Sequence, residues 1–142
     1  MIGFFDSGFG GLHVLRGITA RLPEYDYIYL GDSARAPYGP RSSDEVYSFT
    51  KQGVEFLFAH GAEIVVLACN TASSEALRKI QQGYQKEGSN KKVLGVLIPF
   101  AEAAAAHTKN KRVGVMATEG TVRSNAFPRE ITKVDSAIQV FQ

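Results

Sequence analysis

Cys69-Asn70-Thr71 is the part of this sequence in which residue type and position most clearly suggest chemistry. It follows the longest apolar run, Ile64-Val65-Val66-Leu67-Ala68, and precedes a stretch with helical character, so the thiol falls at a strand-to-helix turn. Amides at the start of a helix favour the thiolate, which is the reactive form of cysteine. Asn70 and Thr71 place further polar groups beside it. A lone cysteine is more often a small buried hydrophobe, and on the tripeptide alone that reading stays open. Two chemistries are excluded: a cysteine-phosphatase loop needs Arg six residues on, where Glu75 stands, and a dithiol redox motif needs a second Cys, while the chain has one. A thiol used for nucleophilic attack or for proton transfer remains.

Three other segments carry polar groups at turns. Asp6-Ser7-Gly8-Phe9-Gly10-Gly11 joins an apolar run to a helical pattern, and its glycines permit a tight turn and close approach of backbone to a ligand. Helix N-terminal amides favour an anion there. The spacing is neither the dinucleotide fingerprint nor a phosphate-binding loop with Lys-Ser or Lys-Thr. Asp6 or Ser7 acting only as a helix cap is the alternative. Ala36-Pro37-Tyr38-Gly39 lies in a long loop flanked by Arg35 and Arg41, which either pair with a substrate carboxylate or are simply solvated. Thr118-Glu119-Gly120-Thr121 offers hydroxyls and amides for a carboxylate, or a cap and a turn.

The elements that must position these groups alternate. Strands are expected at residues 2–5, 27–30, 64–68, 93–98, 113–116 and 138–141. Helices are expected at 12–22, from Ser43 or Asp44 to Gly61, 71–84, 101–107 and 122–133, with Pro128 able to split the last. Such alternation implies an α/β fold with a doubly wound parallel sheet of flavodoxin-like type. Ligands in that class bind at the carboxyl ends of the strands. Asp6-Ser7, Asp32, Cys69-Asn70-Thr71 and residues 118–121 all fall on that edge, and this is the main reason for expecting a site.

Composition narrows the function classes. Hydrophobic residues are 44% and charged residues 21% of 142, as in ordinary globular chains. No apolar run is long enough to cross a bilayer and no signal peptide is evident, so a cytoplasmic location is expected. The net charge is +2, and Lys91-Lys92 and residues 109–112 are short flanking clusters, not a nucleic-acid footprint. One Cys and the scattered His13, His60 and His107 give no metal-ligand spacing.

In order and spacing, Asp6-Ser7-Gly8, Ala36-Pro37-Tyr38-Gly39, Cys69-Asn70-Thr71-Ala72-Ser73 and Thr118-Glu119-Gly120-Thr121 resemble the glutamate racemase branch of the aspartate/glutamate racemases, along all 142 residues. The resemblance implies two similar α/β domains: residues 1–98 would be the first, lacking its return segment, and 99–142 the start of the second. It implies bacterial, cofactor-independent interconversion of L- and D-glutamate by two cysteines, supplying D-glutamate for peptidoglycan. Cys69 would be one acid/base, assisted by Asp6. Asp6, Ser7, Tyr38, Gly39, Asn70 and Thr71 would contact substrate, with Thr118 and Thr121 as further carboxylate holders.

The family's second Cys, followed by Thr-His, has no counterpart here, so a truncated chain without activity of its own is expected. Self-association through exposed apolar surface follows as a further expectation. The alternatives are an aspartate or hydantoin racemase, a single-Cys hydrolase or transferase needing a nearby His, and a non-catalytic anion-binding module.

Overall fold

The protein is described here by a computed structural model covering all residues, Met1–Gln142. Four strands, Ile2–Asp6 (β1), Tyr27–Gly31 (β2), Ile64–Leu67 (β3) and Lys92–Gly95 (β4), form one parallel sheet in the order β2-β1-β3-β4. β1 and β3 are central and carry the apolar runs IGFF and IVVL, because strands covered on both faces have little use for polar residues. The helices of this part are Leu12–Thr19 (α1), Ser43–Ala59 (α2), Asn70–Glu75 (α3) and Leu77–Lys86 (α4). By the right-handed rule for parallel crossovers, the strand order puts α1 on one face and α2 and α4 on the other, which is the doubly wound arrangement. Phe5, Val65 and Leu67 of the sheet and Leu57 of α2 are fully buried in one core, each contributing about 1.5–3 kcal/mol through burial.

The chain then forms Leu97–His107 (α5), Arg112–Gly114 (β5), Glu119–Arg123 (α6), Ala126–Val134 (α7) and Gln139–Phe141 (β6). β5 and β6 pair in parallel as a separate two-stranded sheet. A smaller apolar cluster of Leu97, Ala101, Ala126, Phe127, Ile131 and Ile138 holds this part together.

Four local expectations are corrected. The fourth strand ends at Gly95, and Leu97, Ile98 and Pro99 form the first turn of α5, where proline leaves no helical hydrogen bond unmade. The helix expected over 71–84 breaks at Ala76, after Ser73 and Ser74 turn their hydroxyls back onto the carbonyls of Leu67 and Thr71. Residues 119–121, read as loop, belong to the helix α6, with Thr118 as the cap. Ser42, rather than Ser43 or Asp44, caps α2 through a capping box with Glu45.

Close approach of α2 to β1 depends on Gly53, where an added Cβ would lie 2.3 Å from the Phe5 ring. Gly53→Ala is expected to destabilise the chain by about 2 kcal/mol, since the buried ring has nowhere to go. Gly83→Ala, on the open side of α4, is expected to stabilise it by about 0.5–1 kcal/mol. Urea midpoints measured side by side check both signs.

Candidate active site

β1 ends at Asp6 and β3 at Leu67, and the turns that follow them meet above the carboxyl edge of the sheet. Asp6 is buried, and its Oδ2 accepts from the Gly8 amide (3.2 Å), the Gly11 amide (3.1 Å) and the Tyr29 hydroxyl (3.2 Å). The carboxylate thus organises the glycine turn around itself. A Cβ on Gly11 would stand 2.8 Å from Ala68 Cβ and 2.9 Å from Asp6 Cβ, so only glycine lets this turn lie against the chain leading to Cys69.

Cys69 is the N-cap of α3 and is 7% exposed. Its sulfur accepts from the Ala72 amide at 3.4 Å and lies 3.2 Å from Ser7 Oγ. Beside it, three threonines close a ring of hydroxyls: Thr71 to Thr118 at 3.0 Å, Thr118 to Thr121 at 3.0 Å, and Thr121 donating to Thr71 at 3.4 Å. These groups line a cavity of about 510 Å³, to which Phe9, Phe100 and Met116 add apolar wall.

Asp6, Ser7, Cys69, Asn70, Thr71, Thr118 and Thr121 all reach this cavity. Tyr38 and Gly39 stand behind it. Tyr38 is 2% exposed, and its hydroxyl donates to Asp32 at 2.5 Å. Gly39 lies against Thr118, close enough that a Cβ would meet Thr118 Cβ at 2.9 Å, and its carbonyl accepts from the Gly120 amide. The side chain of Tyr38 therefore buttresses the wall and does not reach into the cavity.

No Lys, Arg or His lines the cavity. Arg35 donates to Asp32 (2.7 Å) and Gln52, and Arg41 donates to the Arg35 carbonyl and Glu45; both stack on Phe49. The flanking arginines are thus committed within their own loop. His60 and His107 bond the carbonyls of Phe56 and Ala103 on their own helices, away from Cys69, so the His that a hydrolase reading requires is missing from the site. No group of three or more His, Cys, Asp or Glu side chains is arranged to hold a metal ion.

One supporting residue, Tyr29, was missed in the sequence, and another, Asp32, was placed on the site edge without a role. Tyr29 bonds Asp6 and the Gly8 carbonyl, and Asp32 anchors Tyr38 and Arg35. The signal for Tyr29 was available in principle, as a tyrosine on the strand beside β1, in register with Phe4.

A thiol held against a hydroxyl, a buried carboxylate and a cluster of neutral donors suits proton transfer on a small anionic substrate. Comparison with known proteins agrees with that chemistry. The family model described as Asp/Glu/Hydantoin racemase matches residues 10–141. This chain belongs to that family.

Among curated members, the glutamate racemase of Jannaschia sp. (strain CCS1) is 46% identical over 140 residues, covering 92% of this chain and 51% of the relative. Among solved structures, glutamate racemase isoform RacE1 from Bacillus anthracis superposes with a TM-score of 0.90 at 40% identity, covering 99% of this chain and 51% of that one. The glutamate racemase from Francisella tularensis, in complex with D-glutamate, gives 0.84 at 35% identity, with 99% and 51% coverage. The chain spans about half the length of the racemases it matches.

Two outcomes test this geometry. Burial, reinforced by Asp6, raises the Tyr29 phenol above its ordinary range, and burial with the Asp32 bond does the same to Tyr38. A raised folded value means that the stability these phenols provide is complete below about pH 10 and is lost as pH rises beyond it. Spectrophotometric titration should show these phenols among the six tyrosines ionising only as the fold is lost. Ser7→Ala should slow alkylation of Cys69 by iodoacetamide about threefold to tenfold, as expected for losing a hydrogen bond of roughly 1 kcal/mol to sulfur.

Proposed function

We propose that this chain supplies half of a glutamate racemase site, with Cys69 as one of two thiol acid/bases. The observation that carries the reading is the placement of Cys69 Sγ beside Ser7 and the threonine ring, in a cavity without a cation, in a chain 46% identical to a glutamate racemase. In this reading Thr71, Thr118 and Thr121, with amides of the glycine turn, hold the substrate carboxylate, and Asn70 contacts the amino group. Cys69 as thiolate takes the α-proton from one face, leaving a planar carbanion-like species. A second thiol returns a proton to the opposite face, and the reverse reaction exchanges the two roles. Asp6 assists by fixing the turn that carries Ser7 onto the sulfur. Tyr38 and Gly39 act through Asp32 and Thr118, as parts of the wall.

The chain has one cysteine, so the second thiol comes from outside these 142 residues. No cofactor enters this scheme, because two thiols on opposite faces of the substrate carry both proton transfers. The division into a first racemase domain over residues 1–98 and the beginning of a second over 99–142 is supported by the two separate sheets and the two separate apolar clusters. The relatives come from bacteria, and no helix is long and apolar enough to cross a membrane. A cytoplasmic enzyme providing D-glutamate for peptidoglycan fits both. Exposed Phe9, Ile98, Phe100 and Met116 offer apolar surface for association between copies.

The test uses the purified chain with each enantiomer of glutamate. No interconversion is expected by chiral chromatography, while glutamate, and not aspartate, should protect Cys69 from alkylation. Interconversion that disappears in Cys69→Ser would overturn the requirement for a second thiol. Failure of both enantiomers to protect the thiol would remove glutamate as the ligand, and protection by aspartate instead would move the assignment within the family.

A further inference from the structure

Glu75 is a buried carboxylate with no part in the proton transfers described above. Its side chain is 5% exposed and lies where the loop after β2, α2, α3 and α6 come together. Oε2 accepts from Ser43 Oγ at the start of α2. Oε1 is shut off from solvent and has no hydrogen-bond partner. Arg123 Nη2 stands 3.5 Å from it, within ion-pair range but outside hydrogen-bond geometry, and the same nitrogen donates to the Arg41 carbonyl at 3.0 Å. A carboxylate kept from water in this way is costly unless it is used to hold something in place.

The spacing shows what it holds. Thr71 and Glu75 are four residues apart on α3 and so share one face. α6 lies across that face, with Thr118 and Thr121 opposite Thr71 and Arg123 opposite Glu75. Gly120 sits between, its amide donating to the Gly39 carbonyl at 3.0 Å, and a Cβ there would lie 2.9 Å from that carbonyl and 3.2 Å from Glu75 Oε1. α6 is therefore attached to α3 at two points one turn apart, a ring of hydroxyls at one end and an ion pair at the other.

The geometry points to Glu75 as a positioning residue whose buried carboxylate, gripping Arg123 and Ser43, fixes the separation of Thr118 and Thr121 from Thr71 and thereby sets the carboxylate cradle beside Cys69. The geometric claim stands on the contacts alone; its effect on substrate rests on the racemase reading. Neither residue touches the cavity, so losing the pair should loosen the cradle while leaving the thiol and its contacts with Ser7 and Ala72 as they are.

Glu75→Ala and Arg123→Met in the 142-residue chain test this, with Glu75→Gln as the conservative variant. Arg123 is 46% exposed, so its variant keeps the test decisive if Glu75→Ala does not fold. The first readout is the nuclear Overhauser contact between the Thr71 and Thr118 side chains. It should be lost in Arg123→Met and in folded Glu75→Ala and partly kept in Glu75→Gln, with the resonances of β1–β4 unmoved. The second is protection of Cys69 by D-glutamate, which should weaken about tenfold, the scale of one lost hydrogen bond to a charged group, with the unliganded alkylation rate unchanged. Contacts persisting at full intensity in Arg123→Met and folded Glu75→Ala would overturn the proposal. If the contacts are lost but glutamate does not protect even the unsubstituted chain, the positioning role stands and the racemase reading falls.

Discussion

The site depends on one close approach, that of the glycine turn after β1 to the end of β3. Gly11 lies so near Ala68 and Asp6 that any side chain there would push the two turns apart. With glycine present, the Asp6 carboxylate can collect the Gly8 and Gly11 amides and the Tyr29 hydroxyl at a single oxygen. Such charge-assisted bonds are stronger than neutral ones, and here they hold the turn in the conformation that rests Ser7 on the sulfur of Cys69. The catalytic thiol proposed here thus owes its setting to a contact between two strands that are adjacent in the sheet and more than sixty residues apart in sequence.

The second feature of the site is its lack of cations. A substrate carboxylate is often met by arginine, yet Arg35 and Arg41 in the loop after β2 are spent on Asp32, Glu45 and a carbonyl, and are stacked on Phe49. In the proposed reading the threonine ring takes their place. Hydroxyls rotate, so each can donate to a neighbouring threonine when the site is empty and to a carboxylate when it is filled. The cost of breaking the neutral bonds is offset by forming charge-assisted ones, which are roughly twice as strong.

Much of this was legible in the sequence, for physical reasons that differ from residue to residue. The apolar runs at β1 and β3 identified central strands, and the alternation of elements put Asp6, Cys69 and Thr118 on one edge before any coordinates. Side-chain direction was not legible. Tyr38 stands in a loop with the composition of a binding segment, but its ring is buried and its hydroxyl is turned to Asp32, because a buried phenol must find a partner and the nearest carboxylate supplies it. Pro99 read as a strand stop because proline interrupts both kinds of element; its tolerance in the first turn of a helix prevailed. Glu75 counted only as a missing phosphatase arginine, since nothing local shows that Ser43 and Arg123 will converge on it.

The two sides of the cavity are held by different forces. β1, β3 and α3 rest on an apolar core that includes Phe5, Val65, Leu67 and Cys69 itself, so the thiol moves only if that core moves. α6 brings no large apolar side chain to either cluster, and its buried residues are Gly120 and Thr121. It is attached by polar contacts: Gly120 to Gly39, Arg123 to Arg41, and the threonine ring. Each such bond contributes a net of only about 1 kcal/mol, and each is directional, so it is lost over a small displacement. Apolar burial, by contrast, tolerates sliding. The Cys69 side of the site is therefore held by apolar burial, and the threonine side by directional polar contacts, which is why the latter needs the Glu75–Arg123 pair to hold its spacing.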